Sequence, residues 1–219
     1  MPNPDPQILV NPVELYRSKT CKVLESRGWR YLFVDGVCQT AMNLSDPHGR
    51  GLPHLDFVDE VLKVQPIQIA IARVLCLGLG GGTVPKRLIR DYPEIKHLEV
   101  VDNNKEVIRL AKQFFDCPNG VWYQDALDFL DSTNRVWDLI HQDLFVGLVV
   151  PFKFTTSEWF ELVAEHLANE SGLLVVHTLG DKTAKRVSRN LTAVFGNIIK
   201  EQRFDNPIPP HCYEFLVGI

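Results

Sequence analysis

Arg73-Val-Leu-Cys-Leu-Gly-Leu-Gly-Gly-Gly-Thr-Val-Pro-Lys-Arg-Leu88 is the stretch that decides the fold. An apolar run of strand length, Val74 to Leu77, stops at Gly78, and Gly80 and Gly82 follow before a helical pattern begins. That order is the grammar of the first strand, turn and helix of a doubly wound sheet. Glycines let the backbone bend sharply at the carboxyl edge of the strand and leave no side chain between it and a ligand. A cofactor is therefore expected across Gly78, Gly80 and Gly82.

The spacing narrows the choice of cofactor. A dinucleotide fingerprint that starts at Gly78 needs its third glycine at position 83, which is Thr83. The pattern is instead GxGxG, with Asp102 at the end of the next strand. A carboxylate there suits the two hydroxyls of a ribose, and the helix start after Gly82 offers free N–H groups to an anionic group. An adenosyl sulfonium is the favoured ligand; a nicotinamide dinucleotide, or a turn needed only for close helix packing, are the other readings.

Downstream, strands and helices alternate. Val84 to Tyr92 reads as a helix with Pro85 in its first turn, and His97 to Asp102 as a second strand. Asn104 caps a helix whose Val107, Ile108, Ala111, Phe114 and Phe115 share a face. Gly120 to Tyr123 is a third strand, followed by a helical turn from Asp125-Ala126, and Val136 to Asp143 is a fourth. Thr155-Thr-Ser-Glu158 reads as a capping box opening a helix to Leu167, Gly172 to Thr178 as a fifth strand, and Asp181 as the cap of a helix closed by Gly196. Asn197 to Phe204 and Cys212 to Val217 make a terminal hairpin around Pro207 to Pro210.

Upstream, Leu55 to Val64 has helical spacing, and Cys21 to Leu44 is a small β meander with turns at Arg27-Gly28 and Asp35-Gly36. Met1 to Ser18, with four prolines, reads as an irregular leader. The whole is an α/β chain: a leader and β segment over residues 1–53, then a Rossmann-like doubly wound sheet with a terminal antiparallel hairpin over 54–219.

At 219 residues and 24.9 kDa, with net charge -4 and a pI near 6.0, the chain has no basic surface for nucleic acid. Its five cysteines, Cys21, Cys38, Cys76, Cys117 and Cys212, are scattered without metal-ligand spacing, so no metal is expected. They read as reduced thiols, the opening residues are not a signal peptide, and the apolar stretches are too short to span a bilayer. A cytoplasmic protein with no membrane association is expected.

Ligands of such sheets lie outside the carboxyl ends of the strands, where Gly78 to Gly82, Asp102, Asp125 and Asp143 fall. Asp125 is a candidate to accept from an adenine amino group, with the N–H of Ala126 on a ring nitrogen. Asp143 is the candidate base for an attacking amine. His141 is placed on the opposite face of the strand from Asp143 and read as structural, and His177 as a core histidine.

These residues also carry a resemblance. Leu77-Gly-Leu-Gly-Gly-Gly-Thr83, Val101-Asp102, Glu106-Val-Ile108, Asp125-Ala126, Trp137-Asp-Leu-Ile-His-Gln-Asp-Leu-Phe145 and Thr155-Thr-Ser-Glu-Trp-Phe160 together resemble the catalytic domain of spermidine synthases, more closely the spermidine-synthase-like group. Val34-Asp-Gly-Val-Cys-Gln39 resembles the segment that ends the family's β-stranded N-terminal domain. The resemblance implies a class I methyltransferase type of fold and S-adenosylmethionine or its decarboxylated form as donor. It also implies a small-molecule amine as acceptor, alkylated by aminopropyl or methyl transfer, and a homodimer paired through the β segment. Asp102 would hold the ribose, Asp125 the adenine, Asp143 would take the amine's proton and Gln39 would face the substrate. In aminopropyltransferases the glycine turn contains an aspartate where this chain has Gly81, and a second follows the catalytic one where this chain has Val146. Two missing charge-assisted hydrogen bonds remove on the order of 3 to 6 kcal/mol of polyamine binding. The alternative reading is an adenosyl-nucleoside-binding protein that has lost aminopropyltransferase activity.

Overall fold

The computed structural model describes residues 5–49, 51–52, 71–168, 171–204 and 211–219. Near the amino end, β1 (Val13–Arg17), β2 (Cys21–Ser26), β3 (Trp29–Val34) and β4 (Val37–Asn43) form an antiparallel meander in sequence order. Both residues of each short turn, Arg27-Gly28 and Asp35-Gly36, have positive φ, the geometry that matches the twist of tight hairpins. The leader is shorter than the sequence predicts. All its prolines precede Val13, and Val-Glu-Leu-Tyr-Arg is then free to pair with β2. Ser18 makes the return, its N–H donating to the Cys21 carbonyl (2.8 Å) and its hydroxyl accepting from the Cys21 N–H (2.9 Å).

The second unit runs β5 (Arg73–Leu77), α1 (Thr83–Asp91), β6 (His97–Asp102), α2 (Lys105–Phe114), β7 (Val121–Tyr123), α3 (Ala126–Asp131) and β8 (Leu139–Gln142). A 3₁₀ turn (Phe152–Thr155), α4 (Ser157–Glu165), β9 (Leu173–Leu179), α5 (Asp181–Phe195), β10 (Lys200–Phe204) and β11 (Cys212–Gly218) complete it. Among the described residues the strand order is β10-β11-β9-β8-β5-β6-β7, parallel except for β11, which is antiparallel to both its neighbours. The terminal hairpin is therefore present. The chain works outward from β5 to β7, then returns to lay β8 on the other side of β5. That reversal opens a crevice at the carboxyl ends of β5 and β8.

The uninterrupted apolar character of β5 follows from cover on both faces. Val74 and Cys76 pack with Leu88, Val100, Leu139 and Val175 on one side. Leu75 and Leu77 pack with Phe129, Ile140, Phe160, Val176 and Phe215 on the other.

Two helix starts differ from the sequence reading. Thr156, not Thr155, caps α4 by accepting from the Trp159 N–H (3.3 Å), because the 3₁₀ turn already engages Thr155, whose hydroxyl donates to the Phe152 carbonyl (2.7 Å). Asp181 is the first residue of α5 rather than its cap; its carboxylate accepts from the Tyr213 hydroxyl (2.7 Å). Gly196, at φ 80°, closes α5 where expected. The predicted helix over 55–64, the loop 207–210 and the 53/54 boundary lie outside the described residues.

The meander leans on α2, where Cys21, Val23, Leu32 and Met42 bury Val107, Leu110 and Phe115. The Tyr16 hydroxyl donates to Glu106 (2.7 Å) and an Arg30 Nη1 to the Phe114 carbonyl (2.5 Å) at its edge. Lys86 is buried in the same seam, its ammonium donating to the carbonyls of Phe115 (2.7 Å) and Pro47 (3.0 Å). Burial lowers its pKa to about 8. Among the described residues no helix is long and apolar enough to cross a membrane.

Candidate active site

The crevice at the strand reversal holds a cavity of about 150 Å³. The glycine turn forms its floor. Gly78, Gly80 and Gly82 all have positive φ, of 97°, 53° and 76°. At Gly78 the need is doubled, because a Cβ there would stand 2.0 Å from the carbonyl oxygen of Asp143. The turn is thus pressed against the end of β8, whose Asp143 N–H donates to the Leu77 carbonyl (2.8 Å).

Asp102 is already partly engaged. One carboxylate oxygen accepts from the Leu79 N–H (3.0 Å) and the other from the Asn104 N–H (2.7 Å), so it ties the glycine turn to the start of α2. Burial raises its pKa, against the lowering pull of those two N–H groups. A carboxylate has about four lone-pair sites, and two remain for incoming hydroxyls. Those free acceptors, over a floor without side chains, fit the ribose of an adenosyl group. At the helix start after Gly82 no side chain caps α1; the start of α2 is closed, since the Asn104 side chain already accepts from the N–H groups of Glu106 and Val107.

Of the residues singled out from sequence, Gln39, Gly78, Gly80, Asp102 and Asp143 line this one cavity. Gly82 lies just beyond, at the start of α1, facing Cys117. Asp125 and Ala126 do not line it. Asp125 caps α3 through the Leu127 N–H (3.0 Å) and receives the Lys153 ammonium on both oxygens (2.9 and 2.8 Å). Burial pushes its pKa up, but Lys153 and the Leu127 N–H outweigh it and hold it below the ordinary value.

Among the lining residues that the sequence reading did not assign to the site, His141, Thr40 and Asp35 matter most. His141 stands with Asp143 on the cavity wall and not on the opposite face, because strand residues two apart share a face. It is buried, its Nδ1 has no hydrogen-bond partner, and burial lowers its pKa to about 4, so the ring is neutral near pH 7. Thr40 is the second. The register of β3 and β4 slips between Leu32↔Thr40 and Phe33↔Cys38, leaving Gln39 as the extra residue of a bulge. A bulge re-aims side chains, and here Gln39 and Thr40, neighbours in sequence, both reach the cavity. The Thr40 hydroxyl accepts from the Gly81 N–H (2.7 Å) and donates to the Gln39 carbonyl (2.8 Å). Asp35 is the third, brought in by the tight turn that precedes β4. His177, as expected, is a core histidine, ion-paired with Glu214 directly opposite on β11. Burial alone would lower its pKa, but the Glu214 carboxylate raises it well above the ordinary value.

No protein-family model matches the chain. It is 30% identical over 148 residues to a probable polyamine aminopropyl transferase of Bifidobacterium longum, covering 64% of this chain and 33% of that protein. With the polyamine aminopropyltransferase of Vibrio vulnificus it shares 31% over 132 residues, covering 57% of this chain and 44% of the other. The chain thus spans about a third to under half the length of these relatives. A probable spermidine synthase from Corynebacterium glutamicum superposes with a TM-score of 0.76 at 20% identity, covering 97% of this chain and 81% of that one. Human methyltransferase-like protein 13, in complex with SAH, superposes with a TM-score of 0.57 at 19% identity over 68% of this chain and 72% of its own. The glycine turn, the strand order and these likenesses agree: the chain is similar in sequence to polyamine aminopropyltransferases and has the α/β fold of the class I methyltransferase type, shared with spermidine synthases.

Proposed function

We propose that the chain is a transferase that moves an aminopropyl or methyl group from an adenosyl sulfonium to a small-molecule amine. One observation carries this reading. Asp35, Asp102 and Asp143 line a single cavity over the glycine turn, and its described lining contains no lysine or arginine. Three carboxylates around one cleft attract cations, and both a sulfonium and an ammonium are cationic. Decarboxylated S-adenosylmethionine suits this acidic cavity better than S-adenosylmethionine, which brings a carboxylate of its own.

The bound sulfonium supplies a carbon already activated for displacement. The protein's part is to align the amine behind it and exclude water. Asp102 offers its two free acceptor sites to the ribose, and Gly78 and Gly80 allow the nucleoside to approach the backbone. The amine's lone pair forms the new N–C bond while the C–S pair leaves with sulfur as a neutral thioether. Asp143 takes the proton released from nitrogen. Gln39 faces the acceptor. In the same reading Asp125 and the Ala126 N–H serve the adenine, the Lys153 ammonium yielding its place, since a half-exposed ion pair is worth only about 0–1 kcal/mol. The two subunits of a homodimer pair through the meander; light scattering is expected to return twice 24.9 kDa.

Calorimetric titration with methylthioadenosine and NAD, followed by a turnover assay with both donors, tests the proposal. Methylthioadenosine is expected to bind and NAD not. Asp143→Asn is expected to abolish turnover while leaving nucleoside affinity within about twofold, because no nucleoside contact is assigned to Asp143. Turnover by Asp143→Asn at the wild-type rate, or binding of NAD alone, would sink the reading.

A further inference from the structure

The wall that continues from Asp143 is apolar. Leu144, Phe145, Val146 and Gly147 follow it in one run, and all four line the cavity. The run is held rather than loose. Val146 and Val149 exchange both backbone hydrogen bonds (2.9 and 3.1 Å) around Gly147, which sits at φ 62°. Phe145 meets the His177 ring edge-on with centroids 5.2 Å apart, and His177 is in turn fixed by Glu214.

The turn exposes apolar side chains, Val146 in the cavity lining and the others following it in sequence. Val146 is 65% exposed, Leu148 45%, Val149 65% and, just beyond, Phe152 66%. Exposed apolar clusters beside a cavity mark a place where something apolar docks. The ring of His141, neutral near pH 7, lines the same cavity. An ammonium laid along such a wall would lose its water without gaining a carboxylate, a costly exchange.

We propose that the acceptor taken by this cavity is a monoamine with an apolar body, its single nitrogen at Asp143 and its alkyl or aryl body against Leu144, Phe145 and Val146. The inference rests on the transferase reading above and names its substrate class. A di- or polyamine laid along Leu144, Phe145 and Val146 places its second charge against carbon; the other carboxylates of the lining, Asp35 in the turn before β4 and Asp102 tied to the glycine turn, do not belong to this run.

The test is calorimetric titration of the full chain with hexylamine, phenethylamine, putrescine and spermidine, with methylthioadenosine at saturation. Hexylamine or phenethylamine is expected to bind at least roughly tenfold more tightly than putrescine, the factor that a lost charge-assisted hydrogen bond implies. In the Val146→Asp variant, whose exposed position leaves the fold intact, the ratio is expected to move toward putrescine by about the same factor. Putrescine or spermidine binding as tightly as hexylamine, binding of none of the four amines, or an unchanged ratio in Val146→Asp overturns the proposal. If methylthioadenosine itself fails to bind, the nucleoside reading is what falls, and the amine ratio is then read without it.

Discussion

Single residues set what the site tolerates. Gly78 combines a φ of 97° with a Cβ position 2.0 Å from a backbone oxygen. Gly78→Ala is expected to destabilise the protein by more than the roughly 1–3 kcal/mol of the dihedral strain alone. Urea unfolding measures it, and methylthioadenosine affinity is expected to fall in parallel, because the turn and the end of β8 must separate. Lys153→Met is expected to tighten nucleoside binding a few-fold by releasing Asp125, with Asp125→Asn weakening it; titration of both variants decides whether that carboxylate serves the ligand at all. At this scale the sequence was a good guide to position wherever a residue closes its own strand, though His141, two before Asp143, was put on the wrong face. Asp102 and Asp143 end apolar runs, and ends of parallel strands converge. Thr40 was illegible, because its importance comes from a bulge in one sheet meeting a glycine in another, 41 positions away.

Among the elements, the terminal hairpin depends on an unusual pair. His177 on β9 and Glu214 on β11 stand opposite one another, both buried, between otherwise apolar residues. Burial raises the Glu214 pKa to about 7, with His177 pulling the other way. Removing one member of a buried pair leaves the other without compensation, whereas removing both can be nearly neutral. Glu214→Leu is therefore expected to cost about 3–5 kcal/mol in urea unfolding, and the double variant His177→Leu/Glu214→Leu to recover most of it. A double variant as unstable as the single one would mean that shape, not charge, holds β11. The alternation of strands and helices was legible because each element carries its own period and caps, as with Asn104 and Gly196. The first strand was missed because Pro12 adjoins it, and a five-residue edge strand has little pattern of its own.

For the whole molecule the question is how the meander and the parallel sheet stay together. Lys86 lies in their seam, and its pKa near 8 is below the ordinary 10.5. Between those values the unfolded chain binds more protons than the folded one, so stability rises with pH; the penalty is full below about pH 8 and gone above 10.5. Relative to Lys86→Met, the wild-type protein is expected to gain up to about 1.4 kcal/mol per pH unit across that window, read from paired denaturation curves. The thiols of Cys38 and Cys76, pushed up to about 12 by desolvation, act oppositely at alkaline pH but in both proteins alike. No sequence pattern announces a lysine turned inward on an amphipathic helix, since the seam that hides it is assembled by another sheet. The same seam restricts how the site can change. A Cβ on Gly81 would lie 2.6 Å from the Thr40 Cγ2, so an aspartate in the glycine turn forces the Thr40 side chain to shift. A lineage or engineer moving a carboxylate into that place gains by shrinking position 40 first, because the reverse order passes through a crowded intermediate.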